Sequence, residues 1–518
     1  MTRVAGLLVV AIVASGCAAM RGVTGGLPSK KLIESVAARS YSPGHLAVGK
    51  AKDVDRNRAS SNGLVHAPAL TTYLNGIAAK LAAASPMRDV PVQVYVLATD
   101  NFDAFSTPDA NVYLSVGVLR EAASEDEVAA VLAHETSHII LGHHDSDVTE
   151  DMQARVFQVT ALALAVHGAF NQKSGLGTKE LGTHAKVALG EAAALKLNQF
   201  VVGPAWQRGQ EQDADLLGSD LLMRAGYDPL AMASMLEKEK KCEEQQQRDT
   251  ATLGDAFKQL GVSVGAGATS GLKIDQQKVD EGVQTGVSAA MGWLGRTHPD
   301  TAARQKRVEQ YVAREYAGPA PARLEQAWYR MTKEPIYRQI RDNYAKATDA
   351  QGLLANDDVA GAAAKAQEAV RGETSDHAYP LTVLASVRKS QGKINQGADA
   401  LHAGLGAREP AWVVYRDAGA LLESVGDEKN AVAVLEQGYR RLAEPVTAVP
   451  FLLRAYRGAG KKQEETKLAA RCATEHPKEA VRGLCSIDSG TEEKNTSTAS
   501  TVGSSNSFLP TSIPWPHR

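Results

Sequence analysis

Hydrophobic positions change period from one segment of the chain to the next. Val90-Pro-Val-Gln-Val-Tyr-Val-Leu97 alternates, which predicts a half-buried strand. Asn111-Val-Tyr-Leu-Ser-Val116 follows a turn signal at Pro108-Asp109 and predicts another. Helical spacing dominates from Ser124 to about residue 240, and again without interruption from about 344. Ser124-Glu-Asp-Glu127 has the form of a capping box, in which the Ser hydroxyl takes an orphan amide and Glu127 reaches back. The helix it starts should run through Val128, Val131 and Leu132 to about Leu141. Residues 245–295 are less regular and rich in Gly, Gln and Asp, and they read as an insertion. The tail, 487–518, is Ser, Thr, Asn and Pro rich and cannot bury a core, so it is expected to be disordered.

The C-terminal helical third repeats. Asp358, Gly392, Gly426 and Gly460 stand 34 residues apart, the period of tetratricopeptide-type helix pairs. Gly suits the tight turn between two helices. Ala363, Gly397 and Ala431 follow five positions on, where helices would pack closely, and Glu465 breaks that pattern. Pro410, Pro445 and Pro477 punctuate the unit ends. Stacked units would form a concave surface for peptides or partner proteins.

Composition narrows the classes. At about 150 residues per domain, 518 residues suggest three or four units. The balance of 57 basic and 59 acidic residues leaves no footprint for nucleic acid. Four cysteines exclude a disulfide scaffold. Cys472 and Cys485 could pair in an oxidising compartment or stay as two buried thiols, and Cys242 would be free in either case. Arg3, the short apolar run Val4–Val13 and the small residues Ala14-Ser-Gly16 have the layout of a signal peptide. No later stretch reaches the roughly 18 apolar residues of a transmembrane helix. Ala14-Ser-Gly-Cys17 resembles the bacterial lipoprotein box, with Ala14 where Leu is usual. That resemblance makes Cys17 the lipidated first residue, and Ala18 points to the outer membrane, facing the periplasm.

The strongest chemical signal lies on the capped helix, in His134-Glu-Thr-Ser-His138. An i,i+4 pair sits on one helix face, so two imidazoles can share one Zn²⁺, and Glu135 beside them can serve as the base. Catalytic zinc usually takes a third protein ligand. His143 and His144 compete for that place with Glu211, in Glu211-Gln-Asp-Ala-Asp215-Leu-Leu-Gly218.

Together these motifs resemble the zinc metallopeptidase family of HtpX-type membrane proteases, CAAX prenyl endopeptidases and periplasmic BepA-type proteases. The family pairs H-E-x-x-H with E-x-x-A-D-x-x-G, matched here by His134, Glu135 and His138 and by Glu211, Ala214, Asp215 and Gly218. The resemblance implies His134, His138 and Glu211 as ligands of one Zn²⁺ per chain, and Asp215 as the residue orienting an imidazole. His143 and Arg208 match further family positions. Thr297-His298-Pro299 with Arg304 matches a third motif, which implies that His298 either caps the metal or stabilises the oxyanion. It also implies that the strand Asn111, Val112, Tyr113, Leu114 and Ser115 pairs with extended substrate. Asp103-Ala-Phe105 and Thr107-Pro-Asp-Ala110 depart from the family pattern just before that strand.

The expected architecture is mainly α (α+β). A gluzincin-type metalloprotease domain with a small antiparallel sheet precedes an α-helical tetratricopeptide-type solenoid. The boundaries are a signal at 1–16, a linker and N-terminal helix at 17–64, the peptidase domain at 65–315, a connecting helix at 316–343, repeats at 344–486 and the tail. The resemblance implies an endopeptidase for periplasmic or outer-membrane protein quality control, anchored to the membrane by lipid, with outer-membrane assembly machinery as a partner of the repeats. The other reading is a non-enzymatic chaperone or assembly factor that holds clients on its repeats.

Overall fold

The structure is a computed structural model that describes residues 27–60, 62–145, 195, 206–259, 301–319, 321–477 and 479–485. The signal segment, Cys17, His298 and the tail lie outside the described residues.

A three-stranded sheet, order β1-β3-β2, is made by β1 (Gln93–Leu97), β2 (Ala104–Ser106) and β3 (Asn111–Ser115). The expected antiparallel sheet is in fact mixed: β2 and β3 are antiparallel across the 107–110 turn, while β1 runs parallel to β3. The chain reverses after β1 to place β2 at the far side, and β3 then returns between them. Helix α1 (Lys50–Arg58) leads into α2 (Pro68–Ala84), which begins with Pro at its first turn and buries Leu70, Leu74, Ile77 and Leu81. Asn75 fastens α2 to the sheet, its Oδ1 accepting from the Val94 amide at 2.9 Å. After the short α3 (Val116–Glu121) comes α4 (Glu125–Leu141), which is buried from Asp126 to Ile140. It packs against α2, β2, α5 (Arg208–Arg224) and α6 (Ala231–Gln259), and α7 (Thr301–Glu315) closes the domain against α5 and α6. A helix apolar on all sides is one that its neighbours enclose.

Both ends of α4 obey the local rules. Ser124 Oγ accepts from the Glu127 amide at 3.2 Å, and Gly142 ends the helix at φ 69°, a left-handed conformation that costs glycine little. Glu127 reaches one residue further back than expected and accepts from the Ala123 amide at 2.6 Å. It also accepts from Ser234 and Lys238 on α6, at 2.6 Å each. Burial would raise its pKa, but these donors outweigh burial and hold it below the ordinary value. Stability contributed this way is present above the unfolded pKa of about 4.3 and is lost as the pH falls through the lower folded value. Glu127→Gln is therefore expected to cost about 1 kcal/mol in urea denaturation at pH 7, and the cost should shrink as the pH drops below about 4. A pH-independent cost would contradict the charge-based account.

The segment 17–64, expected as a linker and an N-terminal helix, holds α1, and its described residues pack into the domain instead of spanning freely. The Leu32 amide donates to Tyr311 Oη and the Ile33 amide to Asp220, both at 2.9 Å. Buried Asp53 accepts from Thr107, Asn111 and Tyr113 at 2.7–2.9 Å, which ties α1 to the β2–β3 hairpin. The irregular segment is also shorter than read, since α6 continues to Gln259; residues 260–295 lie outside the described residues. The connecting helix is two helices, α8 (Glu325–Lys333) and α9 (Pro335–Ala355), broken where Glu334 precedes Pro335. Among the described residues, no helix is long and apolar enough to cross a membrane.

Four helix pairs follow: α9 with α10 (Val359–Ala369), α11 (Ala378–Ser390) with α12 (Ile394–Leu405), α13 (Trp412–Ser424) with α14 (Glu428–Arg441), and α15 (Val449–Gly458) with α16 (Lys462–Glu475). The first helices of successive pairs also pack on one another. Gly392, Gly426 and Gly460 make the left-handed turns at φ 72°, 81° and 70°. In the first pair that conformation falls on Asp357, not Asp358, which instead caps α10 by accepting from the Gly361 amide at 2.8 Å. The first unit is thus one residue longer than the period. Its closely packed small residue is Ala362, fully buried, rather than the half-buried Ala363. Cys472 and Cys485 form a disulfide with their Cα atoms 5.4 Å apart, and Cys242 is free. Arg58 of α1 meets the helix pairs by donating to Glu409 at 2.8 Å.

Candidate metal centre

The site is made where α4 meets α5. Gly218 allows the approach: a Cβ there would lie 3.2 Å from the His134 amide nitrogen and 2.6 Å from Met232 Cε. Glu211, about two turns earlier on the same face of α5, is brought over the two histidines. The His134 and His138 Nε2 atoms are 3.1 Å apart, and Glu211 oxygens lie 3.7 and 3.4 Å from them. These three residues form the metal-binding group, with one ligand atom from each within 4.8 Å of the others. Glu211 and His138 are fully buried and His134 is 6% exposed.

The far side of each imidazole is held. His134 Nδ1 lies 2.9 Å from Asp215 Oδ1, and His138 Nδ1 lies 2.9 Å from His143 Nδ1. Such partners fix ring orientation and leave Nε2 for the shared point. Arg304 donates through Nε and Nη2 to the two Asp215 oxygens at 2.8 Å each, and its Nη1 lies 2.9 Å from Glu211 Oε2. Burial would raise the Asp215 pKa, but Arg304 and His134 hold it below the ordinary value. Burial drives His138 well below the ordinary imidazole range despite Glu211, and pushes His143 to about 4. Two imidazole nitrogens and a carboxylate oxygen converging on one buried point are a donor set that suits a divalent metal.

Glu135 is 1% exposed and accepts from Ser106 Oγ at 2.9 Å. Ser106 ends β2, so the short strand positions the acid. Sequence reasoning missed Ser106, because nothing in a three-residue strand marks which helix it will lie along. It also missed Trp206, whose ring stacks on His138 at 4.2 Å and on His144 at 4.9 Å. Its place just ahead of the Glu211 motif was the one available hint. Of the competing ligands, His143 faces the back of His138 and His144 is stacked on Trp206, while Glu211 joins the shared point. Arg208 is exposed at the start of α5. The expected substrate strand needs correcting. Asn111, Val112, Tyr113, Leu114 and Ser115 are buried in β3, the central strand, whose two sides are taken by β1 and β2. A strand paired on both sides has no ladder left for a peptide. The outer strand beside Glu135 is β2.

The family model described as Peptidase family M48 matches residues 68–312. The chain is similar to the beta-barrel assembly-enhancing protease of Yersinia pestis, 29% identical over 184 residues, which is 35% of each chain. The beta-barrel assembly-enhancing protease of Escherichia coli (strain K12) is 29% identical over 185 residues, again 35% of each. Metalloprotease LoiP of Escherichia coli (strain K12) is 27% identical over 182 residues, 35% of this chain and 62% of that protein. The chain thus spans about a third of the length of the first two relatives.

Proposed function

The chain carries a peptidase family M48 domain, and on that premise we propose that it is a zinc-dependent endopeptidase acting on proteins of the bacterial envelope. The observation that carries the reading is the convergence of His134, His138 and Glu211 beside a buried Glu135 that accepts from Ser106. Zn²⁺ bound there would lower the pKa of water to about 7 and polarise the peptide carbonyl. Glu135 takes a proton from water and delivers it to the leaving amine, while Ser106 keeps the carboxylate aimed. Asp215 and His143 hold the imidazoles, and Arg304 holds both Asp215 and Glu211. An extended substrate would add to β2, the strand next to Glu135.

His298 is proposed to reach the metal or the oxyanion. The support is that Arg304, six residues on in the same motif, contacts Glu211. Lipidation at Cys17 would tether the protease to the outer membrane, facing the periplasm, and protein quality control there is its proposed role. The helix pairs, read as tetratricopeptide-type repeats, would present clients or outer-membrane assembly partners.

The purified full-length protein is expected to cleave casein, to stop after chelation, and to recover with about one equivalent of Zn²⁺ per chain. Client binding with no cleavage of casein or of unfolded outer-membrane proteins, at full zinc loading, would establish the chaperone reading instead.

A further inference from the structure

A hollow of about 90 Å³ lies where the end of α4 meets the β2–β3 turn. Ile139, in its lining, stands one turn beyond Glu135 on the same face of α4. Thr107, also in its lining, follows Ser106 in the chain. A peptide laid along β2 would therefore pass it. The buried part of the lining is His144, whose ring stacks on Trp206 as that of His138 does. His144 is 7% exposed, and neither of its ring nitrogens has a hydrogen-bond partner. Burial pushes its pKa down to about 3, so the ring is neutral at pH 7 and holds an unmet N–H. Arg39 is exposed and supplies the charge of the lining. Its segment is pinned to the domain: the Arg88 amide donates to the Arg39 carbonyl and the Tyr41 amide to that of Arg88, both at 2.8 Å. Tyr41 Oη donates to the Pro108 carbonyl at 3.2 Å. Among the described residues, no carboxylate lines the hollow.

We propose that this hollow takes a substrate carboxylate two or three residues from the scissile bond, bound by the Arg39 guanidinium and the His144 N–H. The inference rests on the endopeptidase reading above and adds a substrate preference. The offset follows from geometry: Ile139 to Leu141 lie about 6–9 Å along α4 from Glu135, and an extended peptide advances about 3.3 Å per residue. The hollow is several times larger than the roughly 10–15 Å³ that one water needs, which suits a carboxylate on a short stem. An apolar group there would leave the His144 N–H unmet, and a basic one would face Arg39. The C-terminal end of α4 carries about half a negative charge, which the full charge of Arg39 outweighs. A Glu or Asp side chain and the C-terminus of a substrate present the same chemistry to these two residues.

The experiment uses zinc-loaded full-length protein and short fluorescein-labelled peptides of one Ala-Leu sequence. Glu, Gln or Lys is moved through the positions, and each peptide is made with a free and an amidated C-terminus. Binding is read by anisotropy. At the favoured position Glu should bind about 10-fold more tightly than Gln. That preference should shrink in about 1 M NaCl, where the Debye length is about 3 Å, because Arg39 is exposed. A preference for internal Glu identifies a side-chain carboxylate; one confined to free C-termini identifies the chain end. Arg39→Glu should reverse the order and favour Lys, which a merely structural role of Arg39 would not do. His144→Phe keeps a ring against Trp206 without an N–H and should reduce the preference about 3-fold or more. Equal affinities for Glu, Gln and Lys with either end, or the wild-type order in Arg39→Glu, would overturn the proposal. A carboxylate preference that Arg39→Glu reverses, with no cleavage of these peptides or of casein, would sink the endopeptidase reading and leave the hollow. Casein cleavage without the preference would do the reverse.

Discussion

Glu135→Gln is expected to lower casein cleavage by about 10²–10⁴-fold while zinc content stays near one per chain. The side chain is close to isosteric, and its carbonyl oxygen can still accept from Ser106 Oγ, which now lies 2.9 Å from Glu135. The metal-binding group is His134, His138 and Glu211, none of which the substitution changes, so ligation should survive. The loss should therefore fall on kcat with little change in melting temperature. Metal analysis, a thermal melt and a fluorescent casein assay on the same preparation check all three. Wild-type cleavage by this variant would show that Glu135 is not the base. Loss of zinc along with activity would show that Glu135 serves the metal instead.

This result leans on residues that were legible in the sequence because they sit at fixed offsets along single helices. His134, Glu135 and His138 follow from helical spacing, and Ser124 and Gly142 bracket their helix as local rules require. Glu211 was not decided by spacing alone: two histidines nearer in sequence competed with it, and only the approach of α5 at Gly218 sets it over the imidazoles. What could not be read depends on which elements meet in space. Alternation marks β1 and β3 but carries no information on strand order; the resemblance implies that β3 pairs with substrate, yet β3 lies in the middle of the sheet. Ser106 and Trp206 act only through neighbours more than 25 residues away in the chain. Asp53 falls in the segment expected as linker and N-terminal helix, and its role is hidden there because three of its donors come from the β2–β3 hairpin. The repeat was legible as a period, but its first register slipped by one. Asp358 resembles a turn residue by composition, yet its carboxylate caps α10 and passes the left-handed turn to Asp357.

Arg304→Leu is expected to destabilise the metal-free protein by about 3–5 kcal/mol, because it orphans two carboxylates at once. Arg304 is 2% exposed, Asp215 is 1% and Glu211 is 0%, so water cannot replace the guanidinium. Both Asp215 oxygens accept from it at 2.8 Å, and Glu211 lies 2.9 Å from its third nitrogen. Lys should not rescue, since an ammonium cannot make the bidentate contact and reach Glu211 together. The gain from the native pair is smaller than the cost of breaking it, because much of the attraction offsets desolvation. That distinction yields a sharper expectation: Asp215→Asn combined with Arg304→Leu should be less destabilised than Arg304→Leu alone, because one of the stranded charges is gone. Urea denaturation of the chelated single and double variants measures the difference. If the double variant were the less stable by the sum of the two single effects, Arg304 would be holding α7 by packing rather than by neutralising the two carboxylates.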